Sequence, residues 1–289
     1  MRTSLGGRWF ATLIAAALAG TAAAADSPGG APAQIAIIID DLGEQHGAGL
    51  RALRLPGPVA LAFLPQTRHA AQQARMADMA GKEVLLHLPL EPARGAARAY
   101  PTAIRADIGQ PGLREAFATA LASVPHARGV NNHQGSLLTQ MPEPMGWLMA
   151  ELRSRPELYF VDSRTTGSSV AYRTARLYGV PAAERNVFLD NERGEAAVRA
   201  RFRELIAKAR RDERALAIGH PYPETLALLE QELPRLAAQG IRLVAPSELI
   251  ARQAGHRGPF RNLRLSPALN LATTQAGPGP PAATSAATH

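Results

Sequence analysis

The chain has 289 residues, of which 46% are hydrophobic and 19% are charged, and this is enough for one large α/β domain. It contains no cysteine, so disulfide bonds and thiolate nucleophiles or metal ligands are excluded. The formal net charge is +8, but the cationic residues are scattered and form no basic run interleaved with aromatic residues, which argues against nucleic-acid binding.

The N-terminal segment predicts export. Residues 1–25 combine Arg2 and Arg8, a short apolar core and a run of small residues, as a cleavable signal peptide does. The core is too short to span a bilayer comfortably, and no later stretch reaches spanning length. We therefore expect a periplasmic or secreted protein that is not membrane-spanning after cleavage, with an uncleaved anchor as the alternative. Composition predicts a flexible linker at 26–33 and a disordered Pro/Ala-rich tail at 254–289.

Between residues 34 and 253, short apolar runs alternate with helical patterns. The apolar runs lack a period of two, which predicts strands covered on both faces. These runs are 34–40, 59–64, 83–88, 128–132, 158–162, 186–190, 214–220 and 241–245. The helical patterns are 67–80, 111–124, 143–154, 172–178, 195–211 and 224–239, the last bent at Pro234. The alternation predicts a single parallel β/α domain that forms a closed or nearly closed barrel. An open doubly wound sheet is the competitor, but no GxGxxG follows the first strand.

Polar side chains follow most of the predicted strands. They are Asp40 and Asp41, His87 and Glu91, Asn131, Asn132 and His133, Asp162, Asp190, and His220. The carboxyl ends of parallel strands form the face on which β/α barrels build active sites. A single strand-end Asp often only caps the next helix, and a single His often only packs. Their recurrence after six strands indicates a functional site.

These residue types support metal-assisted hydrolysis. A catalytic zinc ion typically has three protein ligands drawn from His and carboxylate and keeps one position open. His87, His133 and one of the pair Asp40 and Asp41 would supply that set. The other Asp could accept a proton, and His220 could protonate the leaving group. The sequence therefore predicts one divalent cation, with zinc as the expected metal.

Five motifs carry a resemblance to a known family. The segments IIIDDLG, HLPLEP, GVNNHQGS, DSRT and AIGHP resemble, in order, those of the divergent polysaccharide deacetylase family, a branch of the NodB-like carbohydrate esterases of bacterial envelopes. The resemblance covers residues 34–250 or so. It implies a distorted (β/α)₇ barrel in which Asp40 is the catalytic base, Asp41 and His87 bind a divalent metal, and His220 is the catalytic acid.

The sequence departs from the family pattern at two places. Where ordinary polysaccharide deacetylases have His-x-x-x-His, this chain has His87-Leu-Pro-Leu-Glu91, in a segment that Pro89 predicts to be a loop. Glu91 could act as a ligand, and His133 is the candidate for the missing imidazole. The usual Arg-x-Pro-Tyr segment, whose backbone helps to bind the oxyanion, has no clear counterpart here.

The remaining polar residues have two interpretations each. Asp162 and Arg164 either form a pair that orients the base or tie the barrel rim together. Two interpretations also apply to Asp190, Asn132 and the neighbouring Asn131. They either orient substrate and catalytic groups or form hydrogen bonds with backbone at the strand ends, and the second interpretation is slightly preferred. Three tyrosines, Tyr100, Tyr172 and Tyr222, are the candidates for stacking on a sugar ring.

The leading hypothesis is a periplasmic, metal-dependent deacetylase-like hydrolase that acts on N-acetylated sugars of an envelope polysaccharide or peptidoglycan-type glycan. The main alternative is a catalytically inactive deacetylase-fold module that binds glycan or partners in cell-wall remodelling. A hydrolase for another ester or amide is a third hypothesis. The sequence leaves the polymer, the metal and the oligomeric state open.

Overall fold

The structure, a computed structural model, describes residues 32–93 and 100–255. The predicted signal peptide, most of the predicted linker and the tail beyond residue 255 lie outside the described residues. Within the described ranges, no helix combines the length and the apolar character that crossing a membrane requires.

Strands and helices alternate along the described residues. The strands are Ala33–Leu42 (β1), Ala60–Phe63 (β2), Val84–Leu90 (β3), Ala127–Gln134 (β4), Tyr159–Asp162 (β5), Ala182–Glu184 (β6), Val187–Phe188 (β7), Arg214–Gly219 (β8) and Ile241–Leu243 (β9). The α-helices are His46–Leu53 (α1), Ala70–Met79 (α2), Gly109–Ser123 (α3), Pro142–Arg153 (α4), Ala171–Leu177 (α5), Glu195–Asp212 (α6), Pro223–Glu232 (α7) and Pro246–Gly255 (α8).

The strands form one parallel sheet in the order β6-β5-β4-β3-β2-β1-β8-β7, and β9 pairs with the start of β1. The two ends of this path are consecutive in the chain. The backbone N–H of Arg185 donates to the carbonyl of Asp162 in β5, and the next N–H, of Asn186, donates to Leu216 in β8. The chain thus crosses between the sheet edges within two residues, and β6 and β7 together fill one barrel position. The prediction of a distorted (β/α)₇-type barrel is confirmed.

The barrel wall is apolar on both faces, as the continuous apolar runs predict. In β1, Ile35, Ile37 and Ile39 belong to the core cluster that the helices cover. The alternate residues Ala36 and Ile38 belong to a second cluster, built mainly of side chains from other strands, which fills the barrel interior. Because side chains alternate along a strand, the row of inward-facing side chains continues to the carboxyl ends of the strands, and in several of them it becomes polar there.

Several element boundaries differ from the prediction. Helix α2 begins at Ala70 rather than at residue 67, because the Thr67 hydroxyl donates to the carbonyl of Leu64 instead of capping the helix. The predicted helix 224–239 ends at Glu232 and continues as two 3₁₀ turns, since Pro234 cannot supply a helical N–H.

Three elements were not predicted at all: α1, β6 and α8. Helix α8 reaches Gly255, so the first two residues of the predicted tail are helical.

Candidate metal centre

Inward-facing side chains from the ends of several strands meet at one mouth of the barrel. Asp40 follows the inward residues Ala36 and Ile38 on β1, and His87 follows the inward Leu85 on β3. His220 comes directly after β8, where Ile218 faces the interior. Parallel pairing of the strands therefore brings one carboxylate and two imidazoles, far apart in the chain, to the same end of the barrel.

Asp41 reaches the same mouth because the backbone bulges there. Consecutive residues of a regular strand face opposite sides of the sheet, so Asp40 and Asp41 should diverge. However, Asp41 adopts a left-handed conformation with φ of 57°. The pairing register between β1 and β2 slips between Ile39 and Leu42, which leaves one extra residue on β1. This bulge turns both carboxylates toward the barrel mouth.

Asp41, His87 and His133 form a compact cluster of ligand atoms. Oδ1 of Asp41 lies 2.9 Å from Nδ1 of His133 and 3.2 Å from Nε2 of His87. The two imidazole nitrogens are 3.1 Å apart. Among the described residues, this is the group of three whose ligand atoms all lie within 4.8 Å of one another.

The cluster fits a divalent cation. Oδ1 of Asp41 is buried, yet within the described part of the chain it receives no hydrogen bond of acceptable geometry. Unpaired buried carboxylate oxygens are costly, and a cation would compensate this one. One carboxylate and two imidazoles are donors that zinc accepts.

The two adjacent carboxylates differ in their electrostatics. Burial raises the pKa of Asp40, and the charge of Asp41 adds to this, whereas His87 and His220 oppose it. Burial also opposes ionisation of Asp41, but the imidazoles of His133 and His87 outweigh burial and hold the pKa of Asp41 well below its usual range. Asp41 therefore stays anionic, and Asp40 is the carboxyl group that more readily takes up a proton.

His220 forms a pair with Asp190. Nδ1 of His220 lies 2.9 Å from Oδ1 of Asp190, whose other oxygen accepts the backbone N–H of His220 and the hydroxyl of Thr225, both at 2.7 Å. Burial lowers the pKa of His220, but Asp190 and, more weakly, Asp41 and Asp40 raise it to about 9. His220 is thus cationic at neutral pH, and its Nε2 lies 3.7 Å from Oδ2 of Asp41.

Sequence reasoning did not find the pairing of Asp190 with His220. It expected Asp190 mainly to bond strand-end backbone, which it does, but the same carboxylate also holds the imidazole. The available signal was strand adjacency, because Asp190 follows β7 and His220 follows β8, and these two strands are paired.

Glu91 is not part of the cluster. Strand β3 continues through Pro89 to Leu90, so the predicted loop is a strand. Glu91 comes four positions after His87, which corresponds to about 13 Å in extended chain. The Glu91 carboxylate instead accepts the backbone N–H of Ala106 at 2.7 Å. The second imidazole comes from His133, which is opposite Pro89 in the register of β3 and β4.

Asp162 and Arg164 tie the rim together. The carboxylate of Asp162 accepts the backbone N–H of Arg164 at 2.8 Å and the hydroxyl of Ser169 at 2.7 Å. The guanidinium of Arg164 pairs with Glu184 at 2.6 Å rather than with Asp162. The geometry therefore matches the second of the two sequence interpretations, in which these residues hold strand ends.

The two consecutive asparagines on β4 differ in their contacts. The amide of Asn132 bonds backbone only, accepting the N–H of Ser163 and donating to the carbonyl of Gln134, both at 2.8 Å. The amide of Asn131 contacts two site residues instead, His87 at 3.0 Å and Asp40 at 2.8 Å. The sequence analysis gave both asparagines the same two interpretations, although consecutive side chains of a strand point to opposite faces of the sheet.

Aromatic rings flank the cluster on two sides. The ring of Tyr100 meets His133 edge to face at a centroid distance of 5.4 Å. The ring of Tyr222 lies 5.4 Å from that of His220, and the guanidinium of Arg193 covers it at 3.6 Å. Of the three tyrosines considered for sugar stacking, these two are at the mouth, whereas Tyr172 packs against the helical core.

Comparison with known proteins identifies relatives. The sequence profile described as divergent polysaccharide deacetylase matches residues 37–250. The chain is 35% identical over 245 residues to the uncharacterized protein YibQ of Escherichia coli (strain K12), covering 80% of this chain and 76% of YibQ. It is 33% identical over 219 residues to an uncharacterized protein of Haemophilus influenzae, covering 76% of this chain and 77% of that protein.

A solved structure has the same fold. The crystal structure of the uncharacterized protein ATU2773 from Agrobacterium tumefaciens C58 matches with a TM-score of 0.72 and 24% identity, over 76% of this chain and 90% of that one. The profile match spans both Asp residues of β1 and the imidazoles that meet them, and two relatives are 35% and 33% identical to this chain over the aligned residues. The chain belongs to the divergent polysaccharide deacetylase family.

Proposed function

We propose that this protein is a metal-dependent hydrolase that removes acetyl groups from N-acetylated sugars of an envelope polysaccharide or peptidoglycan-type glycan. The observation that carries this proposal is the ion-sized cluster of Asp41, His87 and His133, with Asp40 within 3.6 Å of His87 and His220 within 3.7 Å of Asp41. Family membership supports the substrate class. The predicted signal peptide at 1–25 supports a periplasmic or secreted location.

Asp41, His87 and His133 would hold the cation. Zinc is the proposed metal, since a mixed carboxylate and imidazole set suits it. When bound, it would supply a Lewis acid that polarises the acetamide carbonyl and makes water more acidic.

The neighbouring residues are placed to move the two protons of amide hydrolysis. Oδ2 of Asp40 lies 3.6 Å from Nε2 of His87, at the edge of the cluster, where it can accept a proton from the attacking water. Nε2 of His220 lies 3.7 Å from Oδ2 of Asp41 and carries a proton at neutral pH. When the C–N bond breaks, His220 gives this proton to the sugar nitrogen, so the products are acetate and an amine. Asp190 holds the imidazole during the transfer.

Acetate release from a panel of glycans tests this proposal. Zinc-loaded protein is incubated with N-acetylglucosamine oligomers and peptidoglycan fragments, in parallel with Asp40→Asn and with Asp212→Asn, which alters an exposed carboxylate on α6. We expect release from at least one glycan, loss in Asp40→Asn and no change in Asp212→Asn. Release that persists in Asp40→Asn would place the chemistry elsewhere. Tight glycan binding without release from any substrate would favour the inactive glycan-binding module.

A further inference from the structure

One buried amide connects the metal cluster to the proposed base. Asn131 is on β4 directly opposite His87 on β3, and none of its surface is exposed. Its Oδ1 lies 3.0 Å from Nδ1 of His87, and its Nδ2 donates to Oδ1 of Asp40 at 2.8 Å. The side chain thus spans the gap between a ligand of the cluster and the carboxylate beside it.

The contact with His87 fixes which ring nitrogen faces the cluster. An amide oxygen only accepts hydrogen bonds, so Nδ1 of His87 must carry the hydrogen. In the neutral ring the lone pair is then on Nε2, the nitrogen 3.2 Å from Asp41 and 3.1 Å from His133. A second partner that fixes the tautomer of a ligating imidazole typically raises metal affinity.

The contact with Asp40 fixes the orientation of the base. The amide N–H₂ holds Oδ1 of Asp40, which leaves Oδ2 facing the cluster. A flipped amide would set its oxygen against the Asp40 carboxylate, so the contact with Asp40 would be lost whichever tautomer His87 adopted. Only one orientation of Asn131 satisfies both neighbours.

We propose that Asn131 is a positioning residue that sets the tautomer of His87 for metal binding and aims Asp40 at the cluster. This inference rests on the proposed function for the role of Asp40, but not for the tautomer of His87. The same strand provides a control, because Asn132 is an equally buried amide that bonds backbone only. A loss of affinity caused merely by removing a buried amide from β4 would appear at both positions.

The test compares Asn131→Leu, Asn132→Leu and the wild-type protein. Zinc affinity is measured by competition with a chromogenic chelator, and ¹⁵N NMR of the metal-free protein at alkaline pH, where the imidazole is neutral, reports which nitrogen of His87 is protonated. We expect Asn131→Leu to weaken zinc binding by about 10- to 100-fold and to lose the single tautomer. Asn132→Leu should keep the tautomer and bind zinc within about threefold of the wild type, which is below the effect of an outer-shell partner.

A second variant separates the two contacts. Asn131→Asp keeps an oxygen acceptor for His87 but replaces the N–H₂ donor to Asp40 by a second oxygen. Zinc binding and the tautomer of His87 should therefore persist, whereas acetate release should fall. Unchanged zinc affinity and tautomer in Asn131→Leu, or equal losses in Asn131→Leu and Asn132→Leu, would overturn the proposal. If Asn131→Leu does not fold, a mixed tautomer in Asn131→Asp would overturn it instead. A wild-type protein that releases no acetate would contradict the proposed function, and the NMR result would still decide the role of Asn131.

Discussion

Replacing Asp190 by Asn tests whether this carboxylate sets the protonation state of His220. One oxygen of Asp190 accepts the backbone N–H of His220 and the hydroxyl of Thr225, and the other faces Nδ1 of the imidazole. In Asp190→Asn the amide oxygen can keep the first two bonds, which leaves the N–H₂ group facing Nδ1. A donor at that place disfavours a hydrogen on Nδ1, so the ring should become neutral with its hydrogen on Nε2.

The expected magnitude follows from the pKa of His220 in the metal-free protein. This pKa is raised from the ordinary 6.5 to about 9, because Asp190 outweighs burial. A difference of this size corresponds to about 3 kcal/mol in the free energy of unfolding. Because the folded-state pKa is the higher one, the stabilisation is complete below pH 6.5 and is lost as the pH rises through about 9.

Two measurements on metal-free protein check this reasoning. Urea unfolding between pH 6 and 9.5 should show a loss of stability with rising pH in the wild type and a flatter profile in Asp190→Asn, and NMR should find the pKa of His220 at least about one unit lower in the variant. Thr225→Val is the control, since it removes one bond to Asp190 but leaves the carboxylate facing the imidazole. An unchanged His220 pKa in Asp190→Asn would refute the argument.

The remaining predictions concern the cluster and the barrel wall. His87→Ala and His133→Ala should each weaken zinc binding by more than about 100-fold, because even residues that only contact a ligand contribute about 10- to 100-fold. Equilibrium dialysis would measure this loss, and full retention of zinc would rule out this ligand set. Zinc at 100 times the wild-type Kd should stabilise the wild type by about 2.7 kcal/mol and each variant by less than about 0.4 kcal/mol, as EDTA-sensitive thermal unfolding would report. Asp40→Asn should keep zinc but lower kcat by about 10²- to 10⁴-fold, and a normal kcat would contradict its role as base. Gly129→Ala should lower the free energy of unfolding in urea by about 1–3 kcal/mol, because its Cβ would lie 2.5 Å from the ring of the buried tyrosine on β5. The control Gly47→Ala should not destabilise the fold, since nothing lies within 4 Å of the added Cβ.

The sequence predicted the barrel well because its strands are apolar on both faces and the segments between them have a helical spacing of apolar residues. It did not predict β6, whose three residues Ala182–Glu184 are too short to give a period. It also missed how β6 and β7 share one barrel position, since the crossing at 185–186 depends on hydrogen bonds to strands distant in the chain.

The sequence predicted which residues of the candidate site lie close together, but not which of their atoms form hydrogen bonds. His87, His133 and one of the pair Asp40 and Asp41 were expected to converge from their strand-end positions, and the structure places the two imidazoles with Asp41. The contacts of Asp190 and Asn131 were missed, because a side chain that follows a strand can bond either backbone or a neighbouring strand's side chain. Only the register of the sheet distinguishes these cases, and register is not visible in one sequence.

The bulge at Asp41 makes the length of β1 a chemical constraint. Only Asp40 and Asp41 lie between the paired residues Ile39 and Leu42, so a deletion that restored the regular register would remove one of the two carboxylates. The remaining Asp would follow Ile39 directly and take the inward place of Asp40, which would leave the barrel mouth with one carboxylate instead of two. Substitution is restricted for the same reason, since Asn tolerates φ of 57° but a β-branched residue would strain the backbone. The number of residues at the end of β1 therefore matters as much for the proposed metal site as the identity of its ligands.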